Sequence, residues 1–165
     1  MRRVSPSAHF TLRLAKADLK FAAAHFTWFA DGGAEHLHGH NYRVSVWLSG
    51  EGLAASGVLV EARVVKEHVR KLCASLDERT LLPEPGARVA IEARGAEIEA
   101  RVAGRSYRLP AADVVLLPIP NVTVECLARW LWGELAKALA GLPASSLGVE
   151  VAESDGQSAS YEAPL

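Results

Sequence analysis

The chain has 165 residues, half of them hydrophobic, enough to bury one sizeable core and few enough to predict a single domain over 1–165. A formal net charge of -1 removes any electrostatic case for nucleic acid or an anionic membrane surface as partner, and leaves a small neutral or anionic ligand open. Cys73 and Cys126 are the only cysteines, each in a helical pattern, so no disulfide framework is expected and a reducing, cytoplasmic location fits.

The basic start of the chain lacks the continuous apolar stretch of a signal peptide, and no later run is long enough to cross a bilayer. From His9 to His25 apolar and polar residues alternate loosely, which predicts half-buried strand with a bend near Ala17-Asp18. Asp31-Gly32-Gly33 then marks a loop. Asn41 to Leu48 alternates cleanly and ends at Ser49-Gly50, a second strand that should pair antiparallel with the first.

Between Val60 and Leu76, apolar residues at 64, 65, 69, 72 and 76 recur at helical spacing with charged residues between them, predicting an amphipathic helix. Glycine-separated alternating segments between Pro83 and Pro110 predict an inserted β segment at about 83–110. Thr123 is the natural N-cap of a second helix running to about Gly141-Leu142-Pro143. Leu147 to Glu153 alternates as a strand, and Ser158 to Glu162 should pair with it across Asp155-Gly156. The order predicts an α+β fold with the helices covering one face of an antiparallel sheet.

His38 and His40 stand two apart at the start of the second strand, so both rings point to one side. His25 closes the preceding strand, and antiparallel pairing through the loop 26–37 would bring it to the same place. Three neutral imidazoles leave a tetrahedral zinc with one open position, the coordination of a catalytic site. H-x-H alone is a weak signal, although Gly39 permits close backbone approach beside a strand.

The segments FAAAH at 21–25, HLHGHNY at 36–42, GVLVE at 57–61, LDE at 76–78, VTVECLA at 122–128 and VEVAES at 149–154 are similar, in order and spacing, to successive signatures of the 6-pyruvoyl-tetrahydropterin synthase and 6-carboxytetrahydropterin synthase family. The resemblance implies the tunnelling fold, a ββααββ subunit whose sheets join into a trimeric barrel, two barrels stacking as a homohexamer. It implies Zn2+ on His25, His38 and His40, and a pterin ligand held by Glu153, with the segment at Thr123 also lining the pocket. A carboxylate suits the pterin ring because it accepts two parallel hydrogen bonds. Outside the resemblance, Glu153 reads equally as a solvated strand end and Thr123 as a helix cap.

The sequence departs from the family pattern at the catalytic positions. Ala34 stands where the family has a cysteine, and the family's Asp-His pair, contributed by an adjacent subunit, is Asp77-Glu78. Glu35, three residues before His38, resembles a subgroup in which glutamate replaces the cysteine and the side chain of dihydroneopterin triphosphate is cleaved to 6-hydroxymethyl-dihydropterin. Glutamate is a weak base at neutral pH unless its surroundings favour the protonated form, so Glu35 reads either as the proton carrier or as a polar loop residue. Glu78 suits a structural role better than that of a second base, while Asp77 could position a neighbouring group. The implied function is a zinc-dependent lyase acting on a dihydropterin side chain. The alternative is a pterin- and zinc-binding member that has lost the synthase reaction or acts on another pterin-like ligand.

Overall fold

The computed structural model describes residues 9–165; the first eight, where the leader was sought, lie outside the described residues. Strand β1 (Phe10–Leu14) and strand β2 (Lys20–His25) are one path broken at the predicted bend, since both pair antiparallel with the 13-residue strand β3 (His38–Gly50). Phe10 to Leu14 run along Gly50 to Val46, and Lys20 to His25 run along Arg43 to His38. The helix α1 (Ala62–Leu76) follows, burying Val65, Val69, Cys73 and Leu76. It ends where Asp77 turns extended and its carboxylate accepts the backbone N–H of Ala22 at 2.7 Å.

Two short strands escape the sequence reading. Strand β4 (Arg79–Leu82) adds in parallel beside β2, and β8 (Val114–Leu116) adds in parallel beside β4. Between them the 83–110 segment forms an antiparallel meander of β5 (Val89–Arg94), β6 (Glu97–Val102) and β7 (Arg105–Pro110), followed by a single 3-10 turn at Ala111–Asp113. The β6–β7 connection is the two-residue turn Ala103-Gly104, with φ of 47° and 75°, the left-handed pair of a tight hairpin.

Helix α2 (Val124–Ala138) starts on its predicted cap, where the Thr123 hydroxyl accepts the N–H of Cys126 at 3.3 Å. It stops about three residues before the Gly141-Leu142-Pro143 signal, because the Leu139 N–H closes the last turn on the Leu135 carbonyl and Gly141 takes a left-handed φ of 87°. Strand β9 (Ser146–Ser154) then pairs with the free side of β3, and β10 (Gln157–Pro164) pairs with β9 across Asp155-Gly156 as expected. The main sheet therefore runs β10, β9, β3, β2, β4, β8, with β1 also on β3.

Alternation decides which face is buried. Tyr42, Val44, Val46 and Leu48 of β3, Phe21 and Ala23 of β2, and Leu147, Val149 and Val151 of β9 form the core with the buried stripes of the two helices. Each fully buried large side chain there contributes about 1.5–3 kcal/mol. Burial pushes the Cys73 thiol up to about 12, with Asp77 adding to the effect, so this cysteine is an inert core residue; Cys126 is half-buried. On the opposite face Trp47 lies over Gly148, where any Cβ would collide with the indole. None of the four tryptophans is fully buried. Among the described residues, no helix is long and apolar enough to cross a membrane.

A second apolar cluster joins the meander to the loop 26–37. Phe26, Leu82, Val89, Ala100 and Val102 are its buried members, with Trp28, Ala34, Leu37 and Tyr107 packed around them. The loop is itself a small hairpin: Phe29 N–H donates to Gly33 O at 2.8 Å, Trp28 bridges Ala34, and Glu35 N–H donates to Thr27 O at 2.8 Å.

Candidate metal centre

His25 and His38 are directly opposed in the β2–β3 ladder, and His40 follows two residues along the same face. All three rings lie on the core side, the face that β2 and β3 share with Phe21, Ala23 and Tyr42. Ring centroids are separated by 4.8 Å for His25 and His38, 5.3 Å for His25 and His40, and 4.7 Å for His38 and His40. Their ligand nitrogens lie within 4.8 Å of one another, and among the described residues this is the cluster of ligating side chains that could hold a metal ion.

Hydrogen bonding selects which nitrogen faces the ion. A carbonyl can only accept, so Nδ1 of His25, 2.8 Å from Val122 O, carries the proton, and Nε2 is left with a lone pair. That Nε2 is buried, in a residue only 2 % exposed, and has no hydrogen-bond partner among the described residues. Nδ1 of His38 likewise donates to His36 O at 2.8 Å, which frees its Nε2. Second-layer carbonyls that fix the tautomer of a ligating imidazole are what a metal site requires, and the orphaned Nε2 of His25 is accounted for by such a site.

Burial is the main cause that pushes the His25 pKa below 6.5; the Val122 carbonyl opposes it, His38 and His40 reinforce it, and Glu35 opposes it. The ring is therefore held neutral, the form that ligates. Gly39 needs a different account from the one its sequence position suggests. A Cβ there would meet Ala23 O at an ordinary 3.5 Å, so close backbone approach does not demand the glycine.

Two carboxylates flank the rings. Glu153 Oε2 is 3.9 Å from His40 Nε2, on the face of β9 shared with Val149 and Val151. Glu35 is half-buried, and its Oε2 accepts the backbone N–H of Thr27 at 3.2 Å. Both act on Tyr42, whose hydroxyl is buried without a hydrogen-bond partner among the described residues and whose pKa is pushed up by burial first, then by the charges of Glu153 and Glu35. Thr123 caps α2 next to Val122, the residue whose carbonyl orients His25.

Asp77 and Glu78 are not brought to the three rings within this chain. Asp77 ties the end of α1 to β2, and Glu78 N–H donates to Ala22 O at 2.7 Å while its backbone adopts a φ of 56°. The Glu78 residue opens onto a shallow cavity of about 460 Å³ shared with His40, Thr80 and Asp113. Ala34 lies in the loop hairpin, opposite Trp28.

Three contributors were not singled out from the sequence. Tyr42 continues the 38, 40, 42 alternation and so was accessible to it. The Val122 carbonyl was not, because a backbone acceptor has no residue type. Asn121 secures the same junction, its Oδ1 accepting Trp28 N–H at 3.2 Å and its Nδ2 donating to Trp28 O at 3.0 Å.

Comparison with known proteins places this geometry. Residues 15–164 match the family model described as 6-pyruvoyl tetrahydropterin synthase. A Methanocaldococcus jannaschii protein provisionally named 6-carboxy-5,6,7,8-tetrahydropterin synthase is 33% identical over 148 residues, spanning 88% of this chain and 90% of the relative. A Pyrococcus abyssi protein under the same provisional name is 30% identical over 118 residues, 68% of this chain and 66% of the relative. Among solved structures, Plasmodium vivax 6-pyruvoyltetrahydropterin synthase, in a variant with alanine replacing a catalytic-residue glutamate, has a TM-score of 0.90 at 27% identity, covering 96% of this chain and 99% of that one. The Plasmodium falciparum protein of the same name has a TM-score of 0.89 at 25% identity, covering 95% and 99%. A family model spanning nearly all described residues, joined to a relative one-third identical over most of both chains, means that this chain belongs to the 6-pyruvoyl tetrahydropterin synthase family.

Proposed function

We propose that the protein is a zinc-dependent lyase acting on the side chain of dihydroneopterin triphosphate or a closely related dihydropterin. The observation that carries this reading is Glu35, a half-buried carboxylate close enough to His25 to act on its charge, beside a cluster of three imidazoles in which Nδ1 of His25 and of His38 is committed to a backbone carbonyl. His25, His38 and His40 would hold the ion. When bound, zinc supplies Lewis acidity toward the oxygens of a substrate side chain.

The remaining work falls to side chains. Glu153 is suited to accept paired hydrogen bonds from the amino and ring N–H groups of the pterin, which orients its side chain toward the histidines. Glu35 would take the proton of a side-chain hydroxyl as the adjacent carbon–carbon bond breaks to leave a carbonyl, and return it to the carbon released on the pterin side, with the Thr27 N–H restraining one carboxylate oxygen. The Plasmodium vivax protein supports a glutamate in this role, since a glutamate is named there as a catalytic residue. Asp77 and Glu78 would act at the site of an adjoining subunit, and Thr123 supports the pocket wall as a cap. The free thiols of Cys73 and Cys126 suit a cytoplasmic setting, and the two open ends of the sheet suit a hexamer built as a dimer of trimers.

The experiment is incubation of the zinc-loaded protein with dihydroneopterin triphosphate and identification of every product by mass spectrometry. Wild type should convert substrate, and Glu35→Gln should lose at least about a hundredfold in kcat while retaining zinc and pterin. Turnover unchanged in Glu35→Gln removes Glu35 from the reaction. Binding without conversion by wild type would establish instead a pterin-binding member that has lost the synthase step, a reading motivated by Ala34 and by Glu78 in place of the family's cysteine and histidine.

A further inference from the structure

We infer that the β5–β7 meander is a clamp for the loop that carries Glu35, and that Arg105 is its positioning residue. This rests on the reading of Glu35 as the proton carrier, and it assigns a task to the 83–110 segment.

Arg105 Nη1 donates to the carbonyl of Ala34 at 2.9 Å and to that of Glu35 at 3.4 Å. Among the described residues it makes no ion pair, in contrast to Arg94 and Arg101 of the same meander, which pair with Glu92 and Glu99. A half-buried guanidinium directed at two successive backbone carbonyls, with no carboxylate, is a bridge to that backbone rather than a solvated charge. The carbonyls it takes belong to the two peptide groups that flank the Glu35 Cα.

Neighbouring contacts act in the same direction. The Leu37 N–H donates to the Tyr107 hydroxyl at 3.4 Å, and the Tyr107 ring stacks on Phe26 with centroids 5.8 Å apart. Arg88, just before β5, donates to Ala30 O at 3.2 Å and lies over the Trp28 ring. Contacts from the meander thus reach both arms of the loop, and alternation along β7 turns Arg105 and Tyr107 to one side while Arg108 stays exposed. The tight Ala103-Gly104 turn fixes where on β7 Arg105 falls.

A proton carrier must sit within hydrogen-bond reach of its proton, and a displacement of about 1 Å can cost on the order of a hundredfold in rate. Arg105 would supply that placement without touching the substrate. The test is amide hydrogen exchange followed by mass spectrometry on the full zinc-loaded chain, run with steady-state kinetics on dihydroneopterin triphosphate. Arg105→Ala should speed exchange in the peptide over 33–37 by about tenfold or more, and lower kcat with KM and zinc content little changed. Arg105→Lys should restore part of both, because its ammonium keeps the charge and the donors but lacks the planar, pre-organised guanidinium fork.

Tyr107→Phe, which keeps the stack and removes only the hydroxyl, should raise exchange at Leu37, and Arg108→Ala on the other face of β7 should change neither readout. Unchanged exchange over 33–37 in both Arg105→Ala and Tyr107→Phe overturns the clamp whatever the kinetics. Faster exchange, together with full turnover by Glu35→Gln, keeps the clamp and discards the catalytic reading on which its purpose rests.

Discussion

His25 is constrained on two sides: one ring nitrogen is committed to the Val122 carbonyl, and the other is buried without a partner. A charged ring is unfavourable there, so its folded pKa is pushed below 6.5 by burial. In an unfolded chain the same ring titrates near 6.5. Below that value the unfolded chain binds more protons than the folded one, so stability rises with pH and is lost as pH falls from about 6.5 through the folded pKa. The thermal midpoint of metal-free protein should therefore drop on acidification below about pH 6.5, and less steeply in His25→Gln. Equal slopes in the two would remove His25 as the source.

The three-histidine cluster was legible at this scale because strand alternation is a strict geometric rule: 38 and 40 share a face wherever the strand runs. The partners that choose the tautomer were not, since Val122 O and His36 O are backbone atoms delivered by folding. Asp77 shows the converse. Its residue type suggests chemistry, yet within the chain it stands just past the end of α1 and its carboxylate accepts the Ala22 N–H of β2.

Helix α2 joins the fold to the site, because its N-terminus follows directly from Val122. The Thr123 cap satisfies one of the free amides of the first turn. Thr123→Ala should lower unfolding free energy by about 1 kcal/mol in urea denaturation, with Thr123→Ser recovering most of it. No loss in the alanine variant would mean that the hydroxyl does not stabilise the helix. Both helices were readable from their apolar period, as were β3, β9 and β10 from alternation. The strands β4 and β8 were missed because four and three residues give no measurable period, and each is made a strand by parallel pairing with a distant partner. The meander was readable as β structure, whereas its contact with the Glu35 loop depends on which face of β7 turns inward.

The described residues form a sheet with helices on one face and, among those residues, open edges at β10 and β8. Its other face bears Arg43, Lys20 and Glu150 around a cavity of about 810 Å³. A long sheet with unpaired edges and one uncovered face is suited to closure by further copies, the assembly that family membership leads one to expect. The histidines sit at one end of this sheet, near enough to each other for a single ion but with two carboxylates and a tyrosine close by. Native mass spectrometry of the purified full chain measures ion content and assembly together. The account predicts hexamers carrying one zinc per chain, and His38→Ala assemblies that have lost it; wild-type assemblies that take up no zinc, or a His38→Ala protein that binds it as fully as wild type, would contradict the three-histidine centre.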